Sequence, residues 1–325
     1  MDWPERLEGV VSGYRDAMIL TAALKTHIFE SLGTTARTPA DLAAELHLDP
    51  RAVDILLHAL AASGILIKDG DTFQIDPGAQ PYLLADSPET MVSILGHNQG
   101  MMRSWLQLPT VLETGEPAPR PKTSPEVMRD FICGMENVSR RSSQEVVQKV
   151  DLTGARRLLD LGGGPATAAI TFCRAHEDLQ AVVFDLPGPV GIAEEQITAA
   201  GMGARITTVA GDFHTDDYGT GFDVVYISNI IHMIGPEETR AVFARTRACL
   251  NPGGRILVKD FYLDDNRLEP AFAAQFSVNM LAATDRGKSY TLSETLDLLS
   301  ETGFGEFSMV KIGAASQVIS GYRES

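Results

Sequence analysis

Residues 160–168 read "DLGGGPATA". The segment that runs into them, "RRLLDL" (156–161), has the apolar run of a buried strand, and residues 167–176 have helical spacing. A strand that enters a glycine turn and leaves it as a helix is the opening unit of a parallel α/β sheet. Gly162, Gly163 and Gly164 let a ligand approach the backbone where a Cβ would collide. As G-x-G-x-x-G the pattern is incomplete, because Thr167 stands at the third glycine position. Nucleotide, dinucleotide and other adenosyl cofactors all use such turns, and so do turns without a ligand.

Downstream, the alternation continues. "QAVVFDL" is a second strand, residues 190–200 a helix, "ARITTVAGDF" a third strand and "FDVVYIS" a fourth. A helix over 236–250 closes at "NPGG" and leads into a fifth strand, "RILVKDFYL". Strands alternating with helices predict a doubly wound, parallel sheet. The last two strands, in "GEFSMVKIGAASQVISGYRE", are too close together for a parallel crossover and must form an antiparallel hairpin. An all-parallel nicotinamide-binding domain lacks that ending.

Upstream the pattern is different. Residues 14–29 have helical spacing, and Thr38–Pro39 and Asp49–Pro50 are cap-plus-proline starts for two short helices, with Gly64 as a stop. "GILIKDGDTFQI" reads as a hairpin about Asp69–Gly70. Three helices and a hairpin are the order of a winged helix. Its charge opposes DNA binding, since residues 1–100 carry 6 Lys/Arg against 14 Asp/Glu and the would-be recognition helix holds only Arg51 and Asp54. A dimerisation module is the expectation. A helical stretch follows over 89–113, then a proline-rich loop over 115–126 and a helix near 127–149. The expected division is a winged-helix-like dimerisation domain (1–100), a helical linker contributing to an acceptor pocket (101–150) and a cofactor-binding domain (151–325).

The whole-chain charge is −16, from 27 Lys+Arg and 43 Asp+Glu, which excludes a nucleic-acid partner. Three cysteines outside any metal-ligand spacing predict neither disulfides nor a metal site. With no bilayer-length apolar run and no signal-peptide pattern, the expectation is a cytoplasmic protein that does not engage a membrane.

Two further carboxylates define the cofactor. Asp185 ends the second strand, where it can accept both hydroxyls of a ribose. Asp212 ends the third strand and is followed by Phe213. S-adenosylmethionine carries a sulfonium and an ammonium against one carboxylate, so it suits a pocket lined by Asp160, Asp185 and Asp212. It has no phosphate, and the glycine turn has no Lys or Arg.

The set "LLDLGGG…VFDLPG…GDF…ISNIIH…LNPGGRILVKD" resembles the class I S-adenosylmethionine-dependent small-molecule O-methyltransferases of plant phenolic and bacterial secondary metabolism. Those enzymes are homodimers built on an N-terminal winged-helix-like domain. The resemblance implies that Gly162 and Gly164 line the methionine moiety, Asp185 and Leu186 hold the ribose, and Asp212 with Phe213 holds the adenine. Asp160, Gly211 and Ser228 complete that set. His232, just after the fourth strand, corresponds to the family's general base. An imidazole, with an ordinary pKa near ~6.5, is a workable base toward a phenol near ~10. Asp260, at the end of the neighbouring fifth strand, is positioned to orient it. Two positions depart from the family: Met233 stands where an Asp commonly follows the base, and Ser289 where a second acid braces it. Transfer to nitrogen or carbon therefore stays open. His97, Met101, Trp105, Met135, Asn279 and Met280 are candidate lining residues for a flat, apolar acceptor.

Overall fold

In a computed structural model, which describes residues 2–119 and 125–324, the chain divides into two units, Met1–Gln99 and Gly100–Ser325. The first unit contains helices α1 (Trp3–Ser12), α2 (Tyr14–Lys25), α3 (Ile28–Leu32), α4 (Pro39–Leu46) and α5 (Pro50–Ala62). The hairpin strands β1 (Leu66–Asp69) and β2 (Thr72–Ile75) and the short α6 (Gln80–Leu83) follow. Helix α7 (Val92–Trp105) begins in this unit and ends in the next. The sequence signals hold locally: Thr38 Oγ1 accepts from Asp41 N–H at 3.2 Å, and Asp49 Oδ1 from Ala52 N–H at 2.8 Å. The helix expected over 14–29 is instead two, because His27 takes a left-handed conformation (φ 56°) between α2 and α3. Phe29, Leu42, Leu57, Leu60 and Phe73 form the centre of the core. One apolar stripe stays outside it: Trp3, Leu7, Val10, Val11, Tyr14 and Met18, at helical spacing on α1 and α2, are 49–73% exposed.

In the second unit α8 (Leu108–Thr114) and α9 (Pro125–Lys149) precede β3 (Arg157–Leu161), α10 (Thr167–Ala175), β4 (Gln180–Asp185), α11 (Pro187–Ala199) and β5 (Ile206–Ala210). Next come β6 (Phe222–Ser228), a 3₁₀ turn at Ile231–Met233, α12 (Pro236–Cys249) and β7 (Leu250–Asp260). The unit ends with α13 (Ala271–Ala283), α14 (Leu292–Glu301), β8 (Phe304–Ile312) and β9 (Ser316–Arg323). The seven strands run in the order β5-β4-β3-β6-β7-β9-β8. The first five are mutually parallel, and β9 enters antiparallel between β7 and β8. Alternate residues feed two faces: Leu159, Val225 and Ile256 pack with Phe243 and Leu299, while Leu158, Val224 and Leu257 pack with Val146, Phe172 and Ala193. This is the doubly wound sheet that the alternation predicts, with carboxyl ends of five parallel strands at one edge.

Three further readings need correction. The helical stretch over 89–113 is broken at 106–107 into α7 and α8. "NPGG" does not close a helix: it lies within β7, bulging between the pairs Phe222–Leu250 and Val224–Arg255. Pro125 and Glu126 open α9 rather than belonging to the loop, as proline at a first helical position allows, and 120–124 lie outside the described residues. Helix α14 was unread, although its capping box, Thr291 with Glu294, is visible in the sequence. Among the described residues no helix is long and apolar enough to cross a membrane.

Candidate active site

The glycine turn is built by packing as well as by the need for space. A Cβ at Gly162 would strike the Ile230 side chain, and one at Gly163 would lie 2.8 Å from the Asp160 carboxyl carbon. Gly164, left-handed like Gly162 (φ 52° and 71°), differs in that a Cβ there would meet nothing within 4 Å. The open side of the turn is therefore at Gly164. Asp185 braces it, accepting from Gly164 N–H at 2.8 Å through Oδ2 and from Leu186 N–H at 2.7 Å through Oδ1. Leu186 is half exposed. Asp160 lies buried beneath the turn, accepts from Ala169 N–H at 3.1 Å, and burial pushes its pKa up to about 7. Burial raises Asp185 as well.

Next to it, the end of β5 is fastened to the end of β4 by Gly211 N–H donating to Asp185 O at 2.9 Å. A side chain at Gly211 would collide with the Phe184 ring. Asp212 accepts from His214 N–H at 2.8 Å, and the Phe213 carbonyl takes Tyr218 Oη at 2.5 Å and Arg245 Nη1 at 3.0 Å. Phe213 keeps its ring half-buried, and Ser228 is half-buried at the end of β6. The open face at Gly164, beside the Asp185 and Asp212 carboxylates at the ends of β4 and β5, fits a cationic, phosphate-free adenosyl group; Asp160, expected to line the pocket, is instead buried beneath the turn, where it holds the helix start through Ala169 N–H.

His232 is in the 3₁₀ turn after β6 and is 6% exposed. Its Nδ1 lies 2.6 Å from Asp260 Oδ1. Asp260, 2% exposed at the end of β7, also accepts from Phe261 N–H at 2.7 Å and from the His232 N–H at 3.4 Å. A carboxylate with these donors accepts from Nδ1–H, which leaves the lone pair on Nε2. Among the described residues Nε2 has no hydrogen-bond partner. The pairing follows from the sheet, because β6 and β7 are neighbours and end together at Ser228–Lys259.

Around the imidazole lie rings that the sequence reading missed. Phe276 meets His232 edge-on at 4.8 Å, Phe261 stacks at 6.1 Å, and Phe272 lies 5.1 Å from Phe261. Phe272 and Phe276 are four apart on α13, a spacing that could have marked them. Trp105 and Asn279 come together, with the indole N–H donating to Asn279 Oδ1 at 2.9 Å. Met280 is buried, Met101 and Met135 are half-buried on α7 and α9, and His97 is half-buried in the first unit. Ser289 does not reach His232: its hydroxyl donates to Ala273 O at 2.7 Å and ties down α13.

Comparison with known proteins gives the class. The sequence matches the family described as the O-methyltransferase domain over residues 118–305, and an O-methyltransferase dimerisation domain over residues 9–84. It is 31% identical to 3-hydroxy-5-methyl-1-naphthoate 3-O-methyltransferase of Streptomyces sahachiroi, across 98% of this chain and 95% of that one. It is 28% identical to L-tyrosine C(3)-methyltransferase of Streptomyces lavendulae, across 92% and 86%. An O-methyltransferase family protein from Burkholderia thailandensis has the same fold, with a TM-score of 0.91 at 26% identity over 100% of this chain and 99% of that one. The chain belongs to the O-methyltransferase family and is an S-adenosylmethionine-dependent methyltransferase.

Proposed function

We propose that this enzyme transfers a methyl group to a hydroxyl of a small, flat aromatic metabolite, with His232 as general base and Asp260 as its orienting partner. The observation that carries the reading is the 2.6 Å Nδ1–Asp260 contact at the carboxyl edge of the sheet, which leaves Nε2 as a proton acceptor. The bound cofactor supplies an electrophilic methyl on its sulfonium. Gly162 and Gly164 hold its methionine end, with Asp160 supporting the turn from beneath, Asp185 and Leu186 the ribose, and Gly211, Asp212, Phe213 and Ser228 the adenine side. The acceptor hydroxyl gives its proton to Nε2, and the Asp260 carboxylate stabilises the imidazolium that forms. Phe261, Phe272 and Phe276, with Met101, Trp105, Met135, Asn279 and Met280, supply an apolar surface that excludes water and favours a planar ring. The hydroxynaphthoate acceptor of the Streptomyces sahachiroi relative makes that compound the first probe.

In the test, His232→Ala should bind S-adenosylhomocysteine as the wild type does but lose turnover by roughly 10²–10⁴-fold. Wild-type turnover in this variant would remove His232 from the role. A second reading, transfer to nitrogen or carbon, is favoured by Ser289, whose hydroxyl is spent on Ala273 and leaves His232 without a second bracing acid. Product mass together with the position of the new methyl separates the two.

The N-terminal domain joins two copies. Its exposed stripe of Trp3, Leu7, Val10, Val11, Tyr14 and Met18 supports a homodimer, since such a continuous apolar face on a water-exposed helix pair calls for a partner surface.

A further inference from the structure

Lys259 is 1% exposed, yet it is a lysine that directly follows the apolar run "ILV" of β7. A charged side chain is buried at a cost and persists where something specific holds it. Its neighbour across the sheet is Ser228, the last residue of β6, and the next residue, Asn229, is grasped twice. Asn229 N–H donates to Lys259 O at 2.9 Å, and Lys259 Nζ donates to Asn229 Oδ1 at 3.2 Å. Asn229 has φ 58°, the left-handed conformation that asparagine tolerates better than other non-glycine residues.

That turn sets everything after it. Ile230 wedges against Gly162, and His232 is reached two residues later. One residue beyond Lys259, Asp260 takes the His232 ring. The Lys259 ammonium also lies 5.8 Å from the Phe261 ring centre, on which His232 stacks. Adjacent residues of β7 thus hold both ends of the segment 229–232, one by its backbone turn and the other by its imidazole.

We propose that Lys259 is a positioning residue for methyl transfer: by gripping Asn229 in its left-handed turn it delivers His232 to Asp260 in register with the glycine turn. The proposal rests on the reading of His232 as base, and it predicts a loss of geometry rather than of binding.

The test uses the full-length protein. With ¹⁵N-histidine labelling, the Nδ1–H of His232 should give a downfield proton resonance, assigned by its disappearance in His232→Ala. Lys259→Met keeps the length and apolar packing of the stem and removes the donor. It should lose or shift that resonance and lower kcat toward the hydroxynaphthoate probe by about 10- to 100-fold, with little change in KM or S-adenosylhomocysteine affinity. Asn229→Asp, which keeps the acceptor oxygen, should retain the resonance. Should Lys259→Met fail to fold, Asn229→Gly deletes the same hydrogen bond while tolerating the left-handed backbone, and should lose the resonance likewise. An unshifted resonance in the variant that folds overturns the proposal, and so does a wild-type kcat. Normal turnover by His232→Ala would instead sink the base assignment, and the resonance would still report whether Lys259 positions the ring.

Discussion

Asp160 shows how one carboxyl ties the site to the medium. Burial raises its pKa from the ordinary 3.8 to about 7, so between those values the native protein holds a proton that the unfolded chain has released. Stability therefore falls as pH rises through that window. Three units correspond to about 4 kcal/mol, a ceiling for one buried group. Asp160→Asn removes the titration while keeping the shape. Its stability relative to wild type should be higher at pH 8 than at pH 5 by at most about 3 kcal/mol, because only about two units of the window lie between those pH values, read by denaturant unfolding without cofactor. An equal difference at both pH values would count against this account. The place of Asp160 beneath a glycine turn was legible because it stands next to last in a strand that runs into that turn. Its raised pKa was not, since that depends on what is packed above it.

At the scale of elements, the loop between α13 and α14 presses on the turn that carries His232. A Cβ at Gly287 would collide with the His232 carbonyl and with Thr284 Oγ1, which itself accepts from Gly287 N–H at 2.8 Å. Gly287→Ala should therefore destabilise by about 1–3 kcal/mol and lower kcat, leaving S-adenosylhomocysteine affinity intact. Melting temperature, turnover and titration together check it; unchanged turnover would mean that the His232 turn yields freely. Nothing in "DRGKS" names that partner, because a glycine in a loop carries no direction. The His232–Asp260 pair was readable for the opposite reason. Strand alternation put the two residues at neighbouring strand ends, and sheet order did the rest. Phe261, Phe272 and Phe276 escaped notice because ring orientation is set by packing, and α13 is apolar on nearly every side.

For the molecule as a whole, the exposed stripe on α1 and α2 is the feature most open to experiment. Val10→Glu with Val11→Glu places two charges in its centre, where both residues are more than 70% exposed and contribute little to the folded core. Sedimentation should show dissociation of the dimer with little change in secondary structure; an unaltered mass would assign association to another surface. The order of the strands has a consequence for the nascent chain. Strand β7, which carries Lys259 and Asp260, gains its outer neighbour only from β9. Until residues 316–323 have left the ribosome, β7 presents a bare row of backbone donors and acceptors, an invitation to pair with another unfinished copy. Slow, cool expression with ample chaperone should thus recover more active enzyme than fast synthesis does, and the strand that carries Lys259 and Asp260 would be where misassembly begins.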